Sequence, residues 1–163
     1  MNFSAAPDIT AIAMRKIYLD VCCLNRPFDD QATERIRLEA EAVMLILARV
    51  ESGSVHLVGS EVIQHEIAAD RDARRRERVR ALAHMASVEI QLTSALEARA
   101  VTIAALGVSP LDALHLACAE IAAEVFLTTD DRLLKRAARV AGQLKVAVKN
   151  PLTWLDESAT FES

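Results

Sequence analysis

The feature that most constrains the fold is an alternation of short apolar runs with longer amphipathic segments. Residues 16–20 (KIYLD), 55–58 (VHLV) and 125–129 (VFLTT) are brief runs, too short for helices and apolar enough to be buried on both faces. Between them lie helical patterns such as TERIRLEAEAVMLILARVESG, which ends near Gly53, and DDRLLKRAARVAG, which ends at Gly142. Strands separated by helices do not form hairpins. They lie side by side in parallel, and the helices serve as the crossovers. The expectation is an α/β domain of three layers, with a short, mostly parallel central sheet flanked by helices.

Local signals mark the remaining elements. Ser60 reads as the N-cap of SEVIQHEIAAD, and Ser109, followed by Pro110, as the start of SPLDALHLACAE. Ser94 and Glu97 form a capping-box pattern for another helix. DARRRERVRALAHMA reads as a charged helix whose apolar face carries Val79, Leu82 and Met85. VEIQL and KVAVKN read as further strands, and Asn150-Pro151 opens a terminal helical turn carrying Trp154. After Asp20 the chain is expected to be irregular through Pro27. The domain is expected over 14–157, with 1–13 as a tail or extension and 158–163 as a C-terminal tail.

Composition excludes several classes. Hydrophobic residues at 52% and charged residues at 26% describe a globular chain. A net charge of -4 argues against a broadly basic nucleic-acid binder but leaves room for a local basic face. No uncharged apolar run reaches the roughly 18 residues of a membrane span, and the N-terminal stretch lacks the basic start of a secretory signal. Three cysteines without a CxxC pair fit a reducing cytoplasm.

Acids then fall where an α/β sheet places its ligands, beyond the carboxyl ends of the strands. Asp20 ends the first strand and Asp130 follows VFLTT, so both belong to one edge. Asp112, in the first turn of its helix, and Glu66, well along another, reach the same edge. Clustered carboxylates need a positive partner, and a hard divalent cation such as Mg²⁺ or Mn²⁺ is the simplest one. Bland readings compete. Asp112 fits a capping role beside Ser109, Asp130 fits an N-cap whose role Asp131 could take, and Glu61 rivals Glu66. Asp20 has few structural excuses at the end of a buried strand. His115 lies one turn beyond Asp112, where it either faces the site or packs beneath it. A lone histidine on an Ala/Leu-rich helix is more often structural, and it is left out of the candidate set. Cys22 and Cys23 read as small buried hydrophobes. There is no H-E-x-x-H zinc motif, and Cys22 stands where a dehalogenase-type phosphatase carries its second aspartate.

In this order YLDVCCLN, SEVIQHEI, SPLDALHLACAE and FLTTDDRLL resemble the PIN domain family, from about Met14 to Leu155. The bacterial members that this chain resembles are VapC-like (virulence-associated protein C) toxins of toxin–antitoxin pairs. The resemblance implies a metal-dependent endoribonuclease whose catalytic and metal-binding acids are Asp20, Glu66, Asp112 and Asp130. It further implies Mg²⁺ or Mn²⁺ as cofactor, RNA as substrate, a small antitoxin partner and a homodimer. The family commonly places Ser or Thr just after the first acid, where Val21 and Cys22 stand here, and Asn25 or Thr128 is expected to supply that polar contact. Asn25, Arg26 and Thr128 are also the candidates for substrate contact. The arginine run from Arg71 to Arg80 reads as a solvated face or a source of phosphate contacts. Val43, Leu45, Ile46 and Leu47, on the first long helix, are core residues or partner contacts. Two alternatives stay open: a catalytically weak PIN scaffold that binds RNA or protein, and an α/β phosphohydrolase acting on small molecules.

Overall fold

A computed structural model describes residues 15–159. The expected N-terminal tail, 1–13, and residues 160–163 of the expected C-terminal tail lie outside the described residues. Five strands, β1 (Arg15–Leu19), β2 (Val55–Ser60), β3 (Val88–Ile90), β4 (Val125–Leu127) and β5 (Ala147–Lys149), form one sheet in the order β3-β2-β1-β4-β5. Every neighbouring pair is parallel. The sheet is flanked by α1 (Val21–Asn25), α2 (Glu34–Glu51), α3 (Glu61–Ala68), α4 (Ala73–Ala83), α5 (Ser94–Ala104), α6 (Pro110–Ala122), α7 (Asp131–Arg139) and α8 (Pro151–Ala159). None of the described helices is long and apolar enough to cross a membrane.

The apolar runs form the centre of the sheet because they are covered on both faces. Ile17 pairs with Leu57 on one side and Val125 on the other, and Leu19 pairs with Leu127. Tyr18 and Phe126 are fully buried and stack at 5.3 Å between ring centroids. Burial of each such side chain contributes about 1.5–3 kcal/mol. On α2, Val43, Ile46 and Leu47 enter this core, while Leu38, Met44 and Leu45 stay exposed.

Several local expectations are corrected. VCCLN is not irregular: it forms the short helix α1, started by the carbonyl of Asp20, which accepts the Cys23 N–H at 2.9 Å. The N-cap of α5 is Thr93, whose Oγ1 accepts from the Leu96 N–H at 3.2 Å, so Ser94 is the first helical residue. The terminal turn is a full helix through Ala159 with Ser158 buried, so ordered structure passes the expected boundary at 157. Ser60, Ser109 and Pro110 occupy the expected capping positions.

Two buried carboxylates clamp the layers. Glu120 on α6 takes both arms of Arg99 on α5, at 2.8 and 3.0 Å, and the Lys145 N–H at 2.6 Å. Burial pushes the Glu120 carboxyl up, but Arg99 and the Lys145 amide outweigh it and hold it below the usual carboxylate range. Its contribution is therefore present above the unfolded value near 4.3 and is lost as pH falls through the depressed native one. Arg99→Gln should cost about 2 kcal/mol at pH 7. In denaturant melts at several pH values the deficit should shrink steadily below about pH 4; a pH-independent deficit contradicts the assignment.

Candidate metal centre

β1 lies at the sheet's switch point, with β2 on one side and β4 on the other, and the crevice beyond its carboxyl end is where such sheets bind ligands. Asp20 sits there, 6% exposed, with its N–H bonded to the Leu127 carbonyl at 2.9 Å. It occupies the N-cap position of α1, yet its side chain makes no capping bond. Instead Oδ2 accepts from the Thr128 hydroxyl at 2.8 Å and from the Cys22 thiol at 3.3 Å. Thr128 therefore supplies the expected polar contact, and its Oγ1 also accepts the Asp130 N–H at 3.1 Å. This one fully buried hydroxyl links two of the acids and is spent on them rather than exposed to a substrate.

Glu66 on α3 meets the same point. Its nearest carboxylate oxygen, one from Asp20 and a ring nitrogen of His115 all lie within 4.8 Å of one another. His115 Nε2 is 2.8 Å from Glu66 Oε2, and Nδ1 is 2.6 Å from the Tyr18 hydroxyl, which lies 2.7 Å from Ser60 Oγ. One donor order satisfies every group: Ser60 donates to Tyr18, Tyr18 to His115 Nδ1, and Nε2–H to Glu66 Oε2. Burial holds the Tyr18 hydroxyl well above its usual range, which keeps the donor protonated. With both ring nitrogens engaged, His115 orients Glu66 and has no lone pair to offer a metal. Its role in the cluster corrects the structural reading given to it from the sequence. The i, i+3 spacing from Asp112 was the available signal.

Asp112 and Asp130 line a cleft together with Ser109 and Arg132. Ser109 Oγ donates to Asp112 Oδ2 at 2.8 Å, and Asp130 Oδ1 caps α7 through the Arg132 and Leu133 N–H groups at 2.9 and 3.3 Å. Asp130 is thus a true cap, whereas Asp112 caps no backbone N–H among the described residues and only accepts the hydroxyl of the real cap, Ser109; each uses a single oxygen. Burial raises the Asp112 carboxyl against the Ser109 bond, and the charges of Asp130 and Glu66 add to the rise. The Asp20 carboxyl is held well above its usual range, first by burial and then by Cys22.

The rivals are occupied elsewhere. Asp131 forms a two-armed ion pair with Arg35, both contacts at 2.7 Å, and Glu61 accepts the Leu92 N–H at 2.7 Å. Arg26 is turned to Asp29 at 2.9 Å and to the buried Glu39 at 3.1 Å. Asn25 Oδ1 faces Arg75 at 3.5 Å. The arginine run is divided: Arg75 also binds Asp29 and the Phe28 carbonyl, Arg76 the Asp70 carbonyl, and Arg78 lies over the Phe28 ring.

Fold and centre together define a parallel α/β domain that gathers carboxylates at its switch point. The chain belongs to the PIN domain family, whose model matches residues 17–140. Among solved structures it is similar to FitAcB from Neisseria gonorrhoeae, at 18% identity and a TM-score of 0.51, over 83% of this chain and 98% of that one. It is also similar to VapBC2 from Rickettsia felis bound to a DNA fragment from its promoter, at 10% identity and a TM-score of 0.50, over the same shares. A third is FitAB bound to an IR36 DNA fragment, at 20% identity and a TM-score of 0.52, over 83% of this chain and 94% of that one. A search of curated protein sequences finds no match.

Proposed function

We propose that this protein is a divalent-cation-dependent endoribonuclease, the toxin of a type II toxin–antitoxin pair. One observation carries the proposal. Each of the four acids spends one oxygen on an anchor, and the other, Asp20 Oδ1, Glu66 Oε1, Asp112 Oδ1 or Asp130 Oδ2, takes no hydrogen bond from the described residues. Four half-committed carboxylates, Asp20 and Glu66 meeting beside His115 and Asp112 and Asp130 lining a cleft of their own, are an all-oxygen donor set, which fits a hard cation such as Mg²⁺ or Mn²⁺. A cation held by Asp20, Glu66, Asp112 and Asp130 would lower the pKa of water and offset charge on a phosphodiester.

The chain's own residues supply positioning. Thr128 holds Asp20, His115 holds Glu66, Ser109 holds Asp112, and the first turn of α7 holds Asp130. Thr128 and His115 are buried, so Asp20 and Glu66 are held from within the core, while Asp112 and Asp130 are held at the surface by helix starts. Glu66, with its side chain 32% exposed, would reach the cation through Oε1, directly or through a bound water. His115→Gln should weaken Mn²⁺ binding about 10- to 100-fold, with Tyr18→Phe milder; calorimetric titration checks this, and unchanged affinity in both variants contradicts the orienting role.

The proposed partner is a small antitoxin. Leu45 and Met44 flank an apolar cleft of about 660 Å³ on α2, bordered by Pro27 and Ala40, that suits an amphipathic segment.

The test is cleavage of end-labelled structured RNA and of DNA of the same sequence, with Mg²⁺, with Mn²⁺ and with EDTA. The expected result is RNA cleavage only with a cation, leaving 3′-hydroxyl and 5′-phosphate ends. Cation binding without cleavage of any RNA would favour a binding scaffold instead.

A further inference from the structure

The crevice has a second half with the opposite charge. A cleft of about 480 Å³ runs from Asp112 and Asp130 past Gly107, Val108 and Ser109 to Arg132 and Arg136. The two arginines stand one helical turn apart on α7 and so share a face. Neither makes an ion pair with the described residues, although the adjacent Asp131 is committed to Arg35.

Arg136 is half-buried and rests on the backbone at Gly107. A Cβ there would lie 3.1 Å from both Cζ and Nε of Arg136. Gly107 also has φ +96°, a conformation that side chains other than glycine's rarely adopt. The chain thus keeps a bare backbone surface under a guanidinium that no carboxylate neutralises. The planar fork of arginine fits the oxygens of a phosphate.

We infer that Arg132 and Arg136 form a phosphate-binding subsite for the backbone of single-stranded RNA, gripping a phosphodiester next to the one that the acids address. The inference rests on the ribonuclease reading of the same crevice. RNA is favoured over an acidic peptide because the arginines share one cleft with two of the four proposed cation ligands. An extended polyanion with its cleavable bond at those acids passes the arginines, whereas an isolated carboxylate partner has no reason to lie there.

Two measurements test it. Binding of a labelled single-stranded RNA is followed by anisotropy in EDTA over a salt series, and steady-state cleavage is followed with Mn²⁺. Wild type is compared with Arg132→Gln/Arg136→Gln and with Arg136→Lys, with thermal melts confirming that each is folded. The double variant should bind at least about tenfold more weakly, with a log–log salt slope shallower by about 0.7 for one lost phosphate contact. Its KM should rise by a similar factor while kcat stays within about threefold. Arg136→Lys should keep the slope and recover only part of the affinity.

Unchanged affinity, slope and KM in the double variant, with wild type binding and cutting RNA, overturns the subsite and leaves the nuclease standing. Arginine-dependent binding by a wild type that cuts nothing keeps the subsite and removes the nuclease. A wild type that neither binds nor cuts RNA overturns both. Unchanged RNA binding with loss of affinity for an acidic peptide assigns the arginines to a protein partner and likewise overturns the subsite.

Discussion

Asp20→Asn is expected to raise the melting temperature of the cation-free protein at pH 7 while lowering RNA cleavage by at least about 10²- to 10³-fold. The two effects share one cause. Burial, with Cys22 beside it, holds the Asp20 carboxyl well above its usual range, so its ionised form costs native stability. The stability of the protonated form is fully present below the unfolded value near 3.9 and is lost as pH rises through the raised native value. Asparagine keeps an oxygen for the Thr128 hydroxyl and carries no charge to desolvate. The variant's advantage should therefore open as pH rises. A divalent cation reverses the order. At 100 times its Kd it should stabilise wild type by about 2.7 kcal/mol and the variant far less. A cation-free variant less stable than wild type at pH 7 would show that the Asp20 charge serves the fold.

The second large effect is expected at the buried Glu39. Its side chain is fully buried, with Oε1 facing Arg26 at 3.1 Å and Arg35 at 3.5 Å, and Oε2 accepting from Asn150 at 2.7 Å. These bonds join the turn after α1 to α2 and to the start of α8. Removal of Arg26 leaves a desolvated carboxylate with a weaker set of partners. Arg26→Ala should cost about 3 kcal/mol, or roughly 6–12 °C in Tm for a chain of this size. The double change Arg26→Ala/Glu39→Leu should recover part of the loss, because it removes the orphaned buried charge even though it leaves the space of the arginine side chain unfilled. Urea melts of wild type and the two variants measure this. A loss below about 1 kcal/mol in the single variant, together with a raised KM for RNA, would move Arg26 from the fold to the substrate.

What the sequence discloses and what it conceals divide along physical lines. Features set by neighbouring residues were legible: the apolar run that ends on Asp20, the Ser60 cap, the Ser109-Pro110 start and the alternation that demands a parallel sheet. Features set by distant pairings were not. Asp131 could not be told from Asp130, because the difference is Arg35, 96 positions away. The first-turn position of Glu61 speaks against it, but the Leu92 amide that occupies it was not visible, nor could His115 be recruited without Tyr18 and Glu66. VCCLN is too short to show a helical period. Thr93 and Ser94 are adjacent hydroxyl residues that only the observed backbone separates. The two halves of the crevice also differ in legibility. Asp20, Asp112 and Asp130 sit at a strand end or a helix start, positions with a known address. Arg132 and Arg136 sit inside a helix, where an arginine usually means solvent.

The central claim is that Asp20, Glu66, Asp112 and Asp130 together hold a divalent cation, and a calorimetric titration of the purified, metal-stripped protein with Mn²⁺ tests it most directly. The account predicts saturable binding of at least one ion per chain, weaker at acid pH, lost in Asp20→Asn and reduced in His115→Gln. Wild-type protein that is folded and binds no Mn²⁺, or binds it equally well as Asp20→Asn, contradicts it.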